Sequence, residues 1–136
     1  MAKNYKELIV WQLGFKLRRQ IVRMTKKRRI EDRDFVWDIR RAAKAVAANT
    51  AEGHGRFLPA DNHHFLVIAK SSLDETEGHL KDGLENGDFD REDWEVAHNL
   101  VKRLTVAMTR LMNYLRSQQA KDNAARHRRA IKWTPR

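Results

Sequence analysis

The 136-residue chain carries 28 Lys and Arg against 18 Asp and Glu, a formal net charge of +10, and it has no cysteine, which excludes disulfides, thiolate catalysis and cysteine-based metal sites. Its length fits one domain, two Pro and six Gly are too few breakers for an all-β fold, and no run approaches the ~18 consecutive apolar residues of a membrane span. The opening MAKNYKELIV lacks the apolar stretch and cleavage site of a secretory signal, so the expectation is a soluble, cytoplasmic, mostly helical protein.

The first predicted helix runs from about Leu8 to Lys27. At about 100° per residue, Leu8, Trp11, Phe15 and Val22 form one stripe, and Val10, Leu13, Leu17, Ile21 and Met24 form an adjoining one. Lys16, Arg19, Arg23, Lys26 and Lys27 lie opposite. One packing layer needs a narrower apolar arc than this. The extra width implies a second covering surface, either another subunit or a second neighbour in the same chain. Lys26-Lys27-Arg28-Arg29 closes the helix, where cations suit the helix dipole and also form a dense positive patch.

The second helix is predicted from about Glu31 to Gly53, with Glu31, Asp32 and Asp34 at its positive end. Phe35, Ile39, Ala42, Val46 and Asn49 give the inward stripe, the many alanines make the helix thin, and Arg33, Arg40 and Lys44 are expected in solvent. Gly53-His54-Gly55 reads as a C-terminal stop; without a preceding strand it is not a phosphate loop. The third helix spans Pro59-Ala60-Asp61 to Asn86-Gly87. Phe65, Ala69, Ser72, Thr76, Leu80 and Gly83 face inward, and Asp74, Glu75, Glu77, Asp82 and Glu85 make the other side acidic.

The fourth helix has the clearest pattern: Trp94, Ala97, Val101, Leu104, Met108, Leu111 and Leu115 keep a 3-4 spacing throughout. Asp90 is a good N-cap, and Phe89 with Trp94 fits a hydrophobic staple. Helices of about 30–40 Å joined by short turns predict an all-α, up-down-up-down antiparallel four-helix bundle over residues 1–119. Residues 120–136 lose the apolar period and read as a basic C-terminal tail, disordered or extending the last helix.

Charge is polarised along the chain. Residues 1–56 hold 15 basic and 6 acidic side chains, residues 57–119 hold 7 and 11, and residues 120–136 hold 6 and 1. A field of this kind attracts a polyanion. The predicted RNA or DNA contacts are Lys16, Arg19, Arg23, Lys26, Lys27, Arg28 and Arg29, joined in the tail by Arg126, Arg128, Arg129 and Lys132, with Trp133 placed to stack on a base.

No catalytic residue, cofactor or metal is expected. Glu95-x-x-His98 is half of a bundle di-iron motif with no second copy, and the adjacent His63 and His64 point apart on a helix.

Three stretches together carry a resemblance: Leu8-Ile9-Val10-Trp11-Gln12; Ile39-Arg40-Arg41-Ala42-Ala43 leading to Asn49-Thr50-Ala51-Glu52-Gly53-His54-Gly55-Arg56; and Phe65-Leu66-Val67-Ile68-Ala69-Lys70-Ser71-Ser72-Leu73-Asp74-Glu75. Over about residues 5–117 the chain resembles the four-helix-bundle proteins encoded by intervening sequences of bacterial 23S rRNA genes. That family includes the accessory variability determinant proteins of diversity-generating retroelements. The resemblance implies a ring-shaped homopentamer. For the retroelement branch it also implies binding to a reverse transcriptase and its template RNA. The arginine-rich tail extends beyond the usual family end and favours that branch. The alternative is a self-associating ribosomal-insert protein with no nucleic-acid role. Within these stretches, Arg41, Asn49, Glu52, Ser72 and Glu75 lie near the inward stripes, and buried polar groups need partners. A network between helices two and three, with Arg41 paired to Glu75, is therefore expected rather than an acid/base site.

Overall fold

Helix ends fall where the chain supplies capping groups and breakers. The computed structural model describes residues 4–132, with side chains as far as Ala130. A 3₁₀ turn at Tyr5–Glu7 is capped by the Asn4 carboxamide oxygen on the Lys6 amide and leads into α1 (Ile9–Lys27). The second helix, α2 (Arg33–His54), starts at Asp32, whose carboxylate accepts from the Phe35 amide at 3.0 Å. Proline opens α3 (Pro59–Glu85), at a position where an amide hydrogen would go unbonded anyway. In the turn before α4 (Arg91–Arg116), Gly87 takes φ +76°, a left-handed backbone open to glycine. Ser117 breaks α4 in extended geometry, and its hydroxyl accepts from the Ala120 amide to begin α5 (Gln118–Lys132). The basic C-terminal segment is thus a separate helix as far as it is described. Among the described residues there is no strand, and no helix is long and apolar enough to cross a membrane.

Each of α1 to α4 packs on the next, and α1 closes on α4. Cross-helix pairs run antiparallel at every seam. Gly14 meets Val46 while Thr25 meets Arg40; Gly53 meets Phe65 while Arg41 meets Glu75. Lys27 meets Asp90 across α1 and α4, and Arg116 meets His63 across α4 and α3. The interior is filled by fully buried side chains such as Leu17, Ile21, Ile39, Leu73, Leu104 and Met108.

The α4 seam is as predicted for Ala97, Val101, Leu104, Met108 and Leu115, all buried, with Trp94 and Leu111 half-buried at its edge. The α2 stripe is rotated from its predicted phase. Ile39, Ala42 and Val46 are buried, but Phe35 and Asn49 sit half-exposed while Val36, Ala43 and Thr50 turn inward. The reason is that α2 packs against both α1 and α3, so its buried arc spans two adjacent stripes. Phe35 lies at the α3 seam, edge-on to His79 at 6.0 Å and tilted against Phe89 at 5.9 Å. Arg40 is likewise not in free solvent: it is half-buried and donates from Nε to the Thr25 hydroxyl at 2.8 Å. Thr25 is buried, and its hydroxyl in turn donates to the Ile21 carbonyl at 2.8 Å, so the seam satisfies both groups.

Along α1, the stripe of Val10, Leu13, Leu17, Ile21 and Met24 is buried, whereas Leu8, Trp11 and Val22 of the other are half-buried. Trp11 stacks on Phe15 with centroids 5.1 Å apart, Tyr5 meets Trp11 edge-on, and Phe15 remains 37% exposed.

Candidate nucleic-acid interface

The predicted phosphate contacts divide into bonded and free groups. Asp90 occupies the N-cap position of α4 but its carboxylate does not cap the helix. It accepts instead from Lys27 Nζ at 2.7 Å and from Arg28. Asp93, 9% exposed, accepts from Arg23 Nη2 at 2.9 Å and Lys27 Nζ at 3.1 Å. The hydrogen bond from Lys27 holds the Asp90 carboxyl below its ordinary range, and that from Arg23 does the same for Asp93. The two carboxylates in turn hold the Lys27 ammonium above its own range, Asp90 more than Asp93. Arg23, Lys27 and Arg28 therefore fasten α1 to α4, and a phosphate there would have to displace two carboxylates. Lys16, Lys26 and Arg29 are exposed with no ion pair among the described residues, and Arg19 lies over the Phe15 ring at 5.8 Å.

The opposite end of the bundle is more open to an anion. Residues 57–119 are acidic in sum, yet no Asp or Glu stands between Glu95 and Asp122, a stretch that holds Lys102, Arg103, Arg110 and Arg116. Antiparallel packing sets this half of α4 beside the start of α1. Between them runs a groove of about 670 Å³, with Ile9, Leu13 and Val106 in its apolar lining, Lys102, Arg103 and Arg110 along its wall and Glu7 as its one acidic lining residue. At the same end, α5 brings His127 and Arg128 against Phe57 of the α2–α3 loop and also carries the exposed Arg126 and Arg129. Arg128 lies 5.5 Å from the Phe57 ring centre and the His127 ring 5.3 Å from it. Arg116 donates from Nε to His63 Nε2 at 2.9 Å. Burial, and then the Arg116 charge, push the His63 imidazole below its ordinary value. Arg56 pairs with Glu52 at 2.6 Å and covers the Phe65 ring at 4.7 Å. The Lys132 side chain and Trp133 lie outside the described residues. Sequence reasoning missed Lys102, Arg103, Arg110, Arg116 and Phe57. The acid-free run in α4 was the available signal for the four cations; for Phe57 there was none.

The expected polar network reduces to one surface link. Arg41 does pair with Glu75, at 2.7 Å, but their side chains are 46% and 40% exposed. Asn49 donates to the Ala45 carbonyl of its own helix, Glu52 bonds Arg56 one turn on, and the Ser72 carbonyl accepts from Thr76. Close helix approach is the reason. At Gly53 a Cβ would lie 2.8 Å from Asn62 Oδ1 and 2.9 Å from Phe65 Cβ, so α2 and α3 approach closely there, and Asn49 and Glu52 find their partners on their own helix. Elsewhere Glu95 pairs with Arg91 and His98 stacks on Trp94 at 4.6 Å. Among the described residues no three His, Asp or Glu side chains are grouped to hold a metal.

The fold and surface define a helical-bundle scaffold: four antiparallel helices, a fifth docked at one end, and a concentration of cations at that end. The profile of the 23S rRNA-intervening sequence protein family matches residues 6–125, and the chain belongs to that family. A solved protein with unknown function from the S23 ribosomal protein family, from Bacteroides thetaiotaomicron, shares the fold with a TM-score of 0.64 at 20% sequence identity. That alignment covers 80% of this chain and 100% of the other. A search of the curated proteins returned no match.

Proposed function

We propose that the protein is a non-enzymatic accessory factor that binds nucleic acid on a self-assembled helical platform. The observation that supports this is the uneven pairing of its cations. Those at the α1 C-terminus largely tie helices together, whereas Lys102, Arg103, Arg110, Arg126 and Arg129 stand exposed without an ion pair among the described residues. Counterion release from such a surface gives binding that weakens steeply with salt and carries little sequence preference. In this reading the partners are RNA or DNA and the reverse transcriptase of a diversity-generating retroelement. The incompletely covered Trp11–Phe15 stripe supports self-association, and a homopentamer follows from the family resemblance. The test is binding of RNA to the full chain across a salt series: a steep fall supports the reading, and flat or absent binding overturns it. A second reading, a self-associating product of an intervening sequence in a 23S rRNA gene, is favoured by the family to which the chain belongs. Gene neighbourhood separates the two, since a nearby reverse transcriptase with template and variable repeats belongs only to the first.

A further inference from the structure

A second cavity, apart from the α1–α4 groove, lies where the α2–α3 loop meets α4 and α5. Its volume is about 370 Å³ and its lining includes His54, Phe57, Asn62, Tyr114, Asn123 and His127, with no acidic residue among the lining groups. Two ring systems stand at the loop side. Phe57 is 41% exposed, and His127 is inclined at 32° to it. The Arg128 guanidinium lies just outside the lining, 5.5 Å from the Phe57 ring centre, and Arg56, paired with Glu52, is the arginine of the lining itself. On the floor, the Asn123 amide donates weakly to the Tyr114 hydroxyl at 3.4 Å. Arg116 lies on α4 two residues from Tyr114, and α5 also carries the exposed Arg126 and Arg129.

Each part matches one part of a nucleotide. An aromatic face accepts any base by stacking, a guanidinium beside it adds cation–π attraction and binds phosphate, and side-chain amides can meet a base edge. A base within a duplex is stacked on both faces and cannot enter, whereas an unpaired base can. A cavity of this size admits one nucleotide, being at the small end of ligand sites, which start at about 300 Å³. An acidic peptide would find cations here, but it would leave the rings and amides unmatched.

We infer that this cavity takes one unpaired base of single-stranded nucleic acid, stacked on Phe57 and His127, with its flanking phosphates held by Arg128 and the neighbouring arginines. The inference rests on the nucleic-acid reading above and gives it a strand preference and a site. It is tested with the full chain and four fluorescent probes at one salt concentration: oligouridine, oligothymidine, an RNA duplex, and an abasic strand of equal length. The expected result is tighter binding of the single strands than of the duplex or the abasic strand. Phe57→Ala should weaken the single strands by about tenfold and leave the duplex unchanged, while Phe57→Tyr, which keeps the ring, should retain affinity. Binding of oligouridine, oligothymidine or both supports the site, since each offers an unpaired pyrimidine to the rings. Photo-crosslinking of an iodouridine strand to the unmodified protein, mapped to Phe57, Tyr114 or His127, gives the same answer without relying on a variant's fold. If all probes bind alike, Phe57→Ala changes nothing and crosslinks fall elsewhere, the site is overturned while the nucleic-acid reading stands. If no probe binds, both are overturned.

Discussion

Two glycines in neighbouring helices should respond oppositely to the same added methyl group. At Gly53, the end of the Asn49–Gly53 stretch, a Cβ would sit 2.8 Å from Asn62 Oδ1 and 2.9 Å from Phe65 Cβ. Ordinary heavy-atom contact begins at about 3.5 Å, so α2 and α3 would have to part by about half an ångström or more. Overpacking of this kind costs about 1–3 kcal/mol, and the better helix propensity of alanine returns about 1 kcal/mol. Gly53→Ala should therefore destabilise by about 1 kcal/mol net. Gly78, within α3, has nothing within 4 Å of the same position. There only propensity acts, and Gly78→Ala should stabilise by about 1 kcal/mol. For a chain of this length each change amounts to about 3–5 °C in melting temperature. Urea unfolding followed by circular dichroism, at one fixed protein concentration, compares the two midpoints directly. Equal stabilisation by both variants would refute the close α2–α3 approach, and destabilisation by both would refute the open surroundings of Gly78.

Three further outcomes follow from the ion pairs. Asp90 and Asp93 have folded-state values below the usual ones, so their stabilisation is complete above the unfolded value of about 3.9 and is lost as pH falls through the lower folded value. Asp93→Asn should flatten the acid-side fall in melting temperature, and an unchanged slope would count against the pairing. His63 is held low by burial and by Arg116, so the unfolded chain takes up its proton first, and stability declines as pH drops below about 6.5 toward the folded value. His63→Gln should remove that decline in thermal melts over the same range, and persistence of the dip would assign it to another group. A double-mutant cycle on Arg41 and Glu75 should give a coupling of about 0.2–1 kcal/mol that shrinks in salt, as for other exposed pairs; a larger, salt-insensitive coupling would mean a buried network after all.

What the sequence revealed depended on how many neighbours each residue answers to. The α4 seam was legible because one stripe at heptad spacing faces one interior, and Ala97, Val101, Leu104 and Met108 are buried accordingly. The phase of α2 was not, because its alanines and Gly53 let α1 and α3 approach closely on adjacent stripes, which buries Val36 and Ala43 beside Ile39 and Ala42. Asp90 was recognisable at a helix start from local spacing alone, but its choice of Lys27 and Arg28 over its own backbone depends on a helix more than 60 residues earlier in the chain. Gly53 shows the reverse case. It read as a stop signal, yet the cap at Gly55 has an ordinary φ of −73°, and the space Gly53 leaves for Phe65 is what the fold uses.

Helix-dipole physics separates the cations further. Lys26 and Lys27 stand in the last turn of α1 and Arg116 in the last turn of α4, where a positive charge stabilises the helix whatever else it does. That effect fades within one turn. Lys102 and Arg103 lie mid-helix in α4, far from either end, and neither has an ion pair among the described residues. Neither the dipole nor a carboxylate partner accounts for them, yet with Arg110 they line the apolar groove between α1 and α4. Charge reversal at Lys102 and Arg103 should therefore leave the melting temperature nearly unchanged and weaken RNA binding. Reversal at Arg23 and Lys27 should lower the melting temperature by disrupting the α1–α4 pairs, with a smaller effect on binding. The opposite ranking in paired melting and binding measurements would place the interface at the α1 C-terminus, one of the two regions the sequence had offered alongside the C-terminal segment.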